Sequence, residues 1–314
     1  LAVHALPVGD DHVVKHLPLT FRVQSIARLY FDGHDKMNRA VLFHERASLT
    51  VEWLSRSVDV RIVTGGLVSI RWLGRPTCVK GAVRIARLVP LDRPEPSLNL
   101  FDTVPSNWLA DRALLRRAGA HWDGLQPSFR HLFNAIFWDG ERFRRFCMGP
   151  SSMNGHHNVD NGNLAHAIDV ASMMREWCGR KDIASTPLGI LAGLLHDAGK
   201  ADEYRLKPDG SWMLSDRGKL LGHKITNIEW IVTAMAKHRV ILLTGHYEAL
   251  LHCLTSSKGA PEWLGIRKPA MLEAVMLSNL DRFSGTEDLM TRCAANDGWG
   301  AFHPHLSSVT YAVI

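Results

Sequence analysis

The chain has 314 residues, 46% of them hydrophobic, which is enough for two cores, and no apolar run of the ~18 residues that a membrane-spanning helix needs. A net charge of +6 suits a polyanionic partner such as nucleic acid. The five cysteines (78, 147, 178, 253, 293) are odd in number, scattered and free of C-x-x-C spacing, which argues against a disulfide framework or a thiolate zinc site and points to a reducing cytoplasm.

In chain order, residues 1–16 read as an N-terminal extension without a signal-like pattern, and because the chain opens at Leu1, residues upstream of it are expected. Residues 17–93 contain strand-like runs at 19–26, 47–53, 58–63, 67–72 and 79–89, several alternating apolar with polar, with Thr64-Gly65-Gly66 as a turn signal. Five short strands in this span predict a small β-barrel, and an OB-like barrel, which binds single strands across its strand faces, is the candidate. Arg61, Arg71, Arg75, Lys80, Arg84, Arg87 and Arg93 lie on or beside these runs, and Trp53 and Trp72 are available for base stacking. Arg71, Arg84, Trp53 and Trp72 are therefore candidate substrate contacts. The alternative is that the arginines serve solubility and the tryptophans fill the core.

A Pro-rich exit at 91–97 marks a boundary, and residues 94–145 read as a linker and helical connector with amphipathic helices between about 106 and 138. Arg112, Arg116, Arg117, Arg130, Arg142, Arg144 and Arg145 form a basic cluster that either extends a phosphate track or lines a solvated helix face.

The segment 146–295 carries the chemistry. Residues 188–200 form a Leu- and Ala-rich run that ends in His196-Asp197-Ala-Gly199-Lys200 and reads as a buried helix. A buried imidazole and carboxylate are costly without a partner, and a cation supplies one. Upstream, a Gly/Asn-rich loop with His156 and His157 leads into a helix carrying His166. Downstream, Leu221-Gly222-His223 begins a helix with an apolar stripe at 225, 228, 231, 232 and 235, and Asp281 lies on a later helix among apolar neighbours. Two histidines and two aspartates, drawn in this order from three separate segments, point to a metal centre of His166, His196, Asp197 and Asp281. Imidazole with carboxylate suits Mn, Co, Fe, Zn or Ni rather than a soft thiolate metal. The tail, 296–314, with His303 and His305 beside Pro304, reads as a peripheral or disordered end.

Taken together, Pro150-Ser-Ser, His156-His157, Gly162-Asn-Leu-Ala-His166, His196-Asp197-Ala-Gly-Lys200, Leu221-Gly-His223, Leu251-His252-Cys-Leu, Pro269-Ala-Met-Leu-Glu273-Ala and Asp281 resemble the HD domain of the YhaM-type 3′-to-5′ exonucleases. The resemblance covers about half the chain by motif. It implies a multi-domain α+β protein, an N-terminal OB-like barrel before an all-α HD domain, and metal-dependent hydrolysis of single-stranded RNA or DNA from the 3′ end. One or two divalent ions are implied, manganese first, with Co, Fe, Zn, Ni and Mg open, and His223 and His252 as ligands of a second. The family's Leu-Ser-His-His-Gly segment appears here as Thr255-Ser256-Ser257-Lys258-Gly259, so both histidines are absent and Lys258 is a candidate fixed cation. Lys200 is expected to swing toward the scissile phosphate, Asp197 to serve metal and chemistry together, and His156 or His157 to bind phosphate or protonate the leaving oxygen. Self-association of the HD domain is an expectation from the resemblance alone. The competing readings are a relaxase-like protein of a mobile element, a mononucleotide phosphohydrolase, and a non-catalytic single-strand binder with a relict site.

Overall fold

The computed structural model describes residues 17–30, 36–76, 78–79 and 81–313. The extension at 1–16 and Lys80 lie outside the described residues. The chain divides into two compact units: one comprises residues up to Gly119 with Phe137–Arg144, the other Ala120–Ile136 with Arg145 onward.

The first unit is a closed barrel. Strands β1 (Phe21–Tyr30), β2 (Lys36–His44) and β3 (Ala47–Ser55) form an antiparallel meander, followed by β4 (Leu67–Trp72), the short β5 (Cys78–Val79) and β6 (Ala82–Pro90). β4 pairs antiparallel with β1 at Phe21↔Val68 and with β6 from Val68↔Pro90 to Trp72↔Ile85. Closure comes from a parallel pairing of β3 with β6 at Val51↔Val83 and Glu52↔Arg84. Strict alternation on β2 turns Asn38, Ala40, Leu42 and His44 inward, and on β3 Leu49, Val51 and Trp53. Of these, Ala40, Leu42, Leu49, Val51 and Trp53 pack with Phe21, Val23, Val68, Ile85 and Leu88 into the barrel core.

The expected strand at 58–63 is instead an irregular loop. Asp59 accepts hydrogen bonds from the backbone N–H and guanidinium of Arg61, a local turn that competes with strand pairing. Val60 is left exposed, while Ile62 plugs the core. The strand that sequence reading omits is β2, whose Asn, Arg and His residues dilute its apolar alternation. Arg22 is fully buried on β1, where it donates to the Gly65 carbonyl (2.7 Å) and Thr103 Oγ1 (2.8 Å) and lies over the Trp108 and Phe143 rings.

Helices α1 (Arg112–Asp123), α2 (Pro127–Phe137) and α3 (Gly140–Met148) follow, the first two as the amphipathic pattern predicts. Much of the basic cluster is already engaged: Arg112 pairs with Glu45, Arg144 with Glu141 and Arg145 with Asp202.

The second unit is mainly helical. Its centre is α4 (Gly162–Cys178) against α5 (Thr186–Leu195), with α6 (Lys200–Glu203), a small hairpin of β7 (Tyr204–Leu206) and β8 (Trp212–Leu214), α7 (Asp216–Leu220), α8 (Gly222–His238), α9 (Thr244–Thr255) and α10 (Leu272–Cys293). α5 begins at the Ser185 cap with Pro187 in its first turn, and every residue from Leu188 to Leu195 is buried, as suits a helix apolar on all sides. A Cβ on Gly193 would lie 2.7 Å from the Ala171 Cα, so glycine here lets α4 and α5 approach closely.

Two expectations are corrected in this unit. On α8 the buried residues are Thr226, Asn227, Trp230, Ile231 and Ala234, whereas Ile225 and Val232 are exposed. The buried face is rotated from the apolar stripe because Asn227 must face the end of α5, where it donates to the carbonyls of Leu195 (2.8 Å) and His196 (2.7 Å). The tail is an ordered hairpin, β9 (Gly298–His303) with β10 (Ser308–Ala312), anchored where the buried Thr310 hydroxyl donates to the Cys293 carbonyl at the end of α10. Among the described residues, no helix is long and apolar enough to cross a membrane.

Candidate metal centre

His196 caps the C-terminus of α5 and Asp197 follows in the turn before α6, so the end of a buried helix delivers both side chains to one point. α4 supplies His166 and α10 supplies Asp281. One ligand atom from each of these four residues lies within 4.8 Å of all the others. His166 Nε2 is 3.1 Å from His196 Nε2, 3.1 Å from Asp281 Oδ1 and 3.4 Å from Asp197 Oδ2. His196 Nε2 is 3.6 Å from each of the two carboxylates. Bonds of about 2.1 Å to a shared cation would place neighbouring ligands roughly 3 Å or more apart, and these separations fit that spacing.

The outer nitrogens are fixed. His196 Nδ1 donates to the Gly193 carbonyl (2.8 Å) and His166 Nδ1 bonds the Ser284 hydroxyl (3.0 Å), which turns both Nε2 atoms inward. Two inward Nε2 lone pairs repel unless a proton or a cation stands between them. Burial works against a charge on His166, but its bonds to Asp197 and Asp281 outweigh burial and raise its pKa to about 9. Burial likewise opposes ionisation of Asp197 and Asp281. Lys200 and His196 around Asp197, and His166 and His196 around Asp281, overcome it and hold both carboxyls well below the usual range. The donor set is therefore a negative, nitrogen-and-oxygen cavity, and it fits a divalent ion of the borderline class.

Around this cluster, His223 at the start of α8 places Nε2 3.3 Å from Asp197 Oδ1 and Nδ1 2.8 Å from Glu203 Oε2. Asp197 thus faces the four-residue cluster with Oδ2 and His223 with Oδ1. The Lys200 ammonium lies against Asp197 Oδ2 (2.5 Å) and the Ser151 hydroxyl (3.2 Å) rather than turning away from the cluster. Gly199 is in ordinary right-handed helical geometry, and its role is close approach: a Cβ there would collide with the His223 carbonyl. The His156 and His157 rings stand 4.9 and 5.3 Å from the His166 ring. Burial, then His166, lowers both pKa values, that of His156 to about 4, so at neutral pH these rings are uncharged. Their Nε2 atoms are buried without a hydrogen-bond partner among the described residues.

Other expected residues stand apart. His252, on α9, accepts the Ala270 N–H at Nε2 (2.9 Å) and is outside the four-residue cluster; Lys258 is exposed in a turn beyond α9. On the barrel, Trp53 is 6% exposed in the core and Trp72 packs against that core, while Arg71 and Arg84 are exposed. Sequence reading missed Glu203, Asn227, Ser284 and Ser151, which hold the ligands or Lys200. For Asn227 a signal existed, an Asn one turn after His223, but its value depended on which face of α8 is buried.

No family model and no solved structure matches the chain. Curated relatives do. The 3′-5′ exoribonuclease YhaM of Bacillus licheniformis is 27% identical over 151 residues, 48% of this chain and 46% of that protein. Those of Bacillus subtilis and Bacillus pumilus are 26% identical, over 145 and 170 residues, covering 46% and 54% of this chain and 44% and 50% of the relatives. The match spans about half the length of the relatives, and over that span the chain is similar to the YhaM-type 3′-5′ exoribonucleases.

Proposed function

We propose that the chain is a metal-dependent 3′-to-5′ exonuclease acting on single-stranded RNA, built as an OB-like barrel followed by an HD domain. The convergence of His166, His196, Asp197 and Asp281 from three helices carries this reading. The parallel closure of β3 on β6 after an antiparallel meander supports an OB-like barrel. The names of the relatives supply the substrate and direction; DNA is the alternative substrate.

His166, His196, Asp197 and Asp281 would hold a divalent ion, manganese first, which when bound would supply Lewis acidity toward a phosphodiester oxygen and lower the pKa of a water. Asp197 stays ionised and joins the cluster to His223, the ligand we assign to a second ion. Lys200, fixed by Asp197 and Ser151, sets a positive charge beside the reacting phosphate. His156 and His157, neutral at physiological pH, offer hydrogen bonds to a phosphate or the leaving oxygen rather than a standing charge. His252 and Lys258 take no part.

A second reading, a weakened nuclease that retains strand binding, rests on the resemblance: Ser257-Lys258 stands where it implies a histidine pair, and Lys258 is exposed. The test is a 5′-labelled RNA with a 3′ single-stranded end, incubated with manganese and wild type, His196→Ala or Asp197→Ala. Progressive 3′ shortening by wild type alone supports the nuclease. Binding without shortening supports the weakened form, and equal shortening by all three removes the site from the chemistry.

A further inference from the structure

One face of α10 carries more than the candidate ligand Asp281. Residues 281, 284, 285, 288 and 292 recur at three- and four-residue spacing, so they share a stripe along the helix. Ser284 bonds His166 Nδ1 (3.0 Å). A Cβ on Gly285 would lie 2.7 Å from His156 Nδ1, so the His156 ring rests directly against the helix backbone. Asp288 Oδ2 accepts the His157 N–H (2.9 Å) and pairs with Arg292 (3.0 Å). The Arg292 guanidinium in turn donates to the Gly155 carbonyl (2.8 Å) and to Asn158 Oδ1 (2.9 Å). The helix that supplies Asp281 thus grips the 155–158 loop on both sides of its two histidines.

Those histidines have different surroundings. His157 has a left-handed backbone (φ 46°), a costly conformation for a residue with a Cβ. Both of its peptide groups are held: Asp288 accepts its N–H, and its carbonyl accepts the Ser151 N–H (3.0 Å). Its side chain lines a cavity of about 370 Å³ with Asp169, Glu287 and Asp288, carboxylates that repel a phosphate. After burial and His166, the groups that act on the charge of His157 are Asp288, Asp169 and Arg292. For His156 they are led by Lys200 and Asp197. His156 therefore sits toward the Lys200 ammonium and the metal centre, and His157 toward the acidic cavity.

We propose that His156 is the member of the pair that meets the reacting phosphate, that His157 is a strut of the loop, and that Arg292 is the positioning residue that sets His156 against the metal centre. Arg292 acts through Asp288 and the loop, from about 16 Å further along α10 than Asp281. The proposal rests on the reading of the chain as a metal-dependent nuclease, and it divides between two residues a role that the sequence leaves shared.

The test uses the full chain and two readouts: hydrogen–deuterium exchange of residues 151–161, with α5 as internal reference, and cleavage of the 5′-labelled RNA with manganese. Arg292→Ala is expected to speed exchange in that segment alone by about tenfold or more and to leave manganese affinity within about twofold of wild type. It should lower kcat about tenfold or more, with part of the loss restored by Arg292→Lys, which keeps the pair with Asp288. Gly285→Ala is expected to unfold no more easily than wild type, since alanine is the better helix former, yet to lose kcat as its Cβ displaces the His156 ring. His156→Ala should cost about tenfold more in kcat than His157→Asn, because asparagine accepts the left-handed backbone. An Arg292→Ala protein whose loop exchanges as wild type, or exchanges faster with kcat unchanged, overturns the proposal. So does a Gly285→Ala protein that cleaves as wild type, or a His157→Asn loss equal to that of His156→Ala. A wild-type chain that cleaves no RNA sinks the nuclease reading and the role of His156 with it, while exchange still decides whether Arg292 holds the loop.

Discussion

His166 sits where two carboxylates and a second imidazole converge, and its proton and a metal ion compete for Nε2. With its pKa raised from 6.5 to about 9, the imidazolium contributes stability to the metal-free fold that is fully present below the unfolded value and is lost as pH rises through about 9. Metal must displace that proton. Apparent metal affinity is therefore expected to rise about tenfold per pH unit between 7 and 9, with close to one proton released per ion at pH 7. Calorimetry in two buffers of different ionisation enthalpy measures that release; a pH-independent affinity would show that His166 is not a ligand. Glu203 acts one residue further out, holding His223 by Nδ1. Glu203→Ala is expected to weaken metal binding or activity about 10-fold or more, read by a manganese titration of cleavage, whereas Lys258→Ala should leave cleavage unchanged.

At the scale of elements, the centre depends on how closely α4, α5 and α8 approach. Gly193→Leu would drive a side chain into Ala171, separate α4 from α5 and move His166 away from His196. A loss of about 1–3 kcal/mol in denaturant unfolding is expected, with metal affinity falling alongside. Unaltered stability would mean that the two helices are not in contact there. The helices bearing the candidate ligands were legible in the sequence because α5 is a long apolar run ending in His196-Asp197 and because His166, His223 and Asp281 each sit in a recognisable helical pattern. The contacts around them were not legible. Hydrophobic periodicity put the buried face of α8 on 225, 228, 231, 232 and 235; Ile231 is buried, but Ile225 and Val232 are exposed because the helix turns Asn227 to bond the end of α5. In the barrel, alternation revealed β3 and β4, hid the more polar β2, and misread 58–63, where a turn at Asp59 wins over β-propensity. Trp53 was visible as an aromatic on a strand, but burial in the core and a place beside a cavity emerge only after closure.

Across the whole molecule, the net charge of +6 and the exposed arginines of the barrel predict electrostatic strand binding. Affinity for a single-stranded RNA should fall linearly on a log–log plot against salt, and Arg71→Ala with Arg84→Ala should flatten the slope by about two. A slope unchanged by both would place the strand elsewhere. The central claim, that four residues from distant parts of the chain form a catalytic metal centre, is tested most directly by metal analysis of the purified protein paired with the 5′-labelled RNA assay. The account predicts at least one bound divalent ion, a ladder that shortens from the 3′ end, and loss of both in His196→Ala. A wild-type protein that cleaves equally well after complete removal of divalent metal would contradict it.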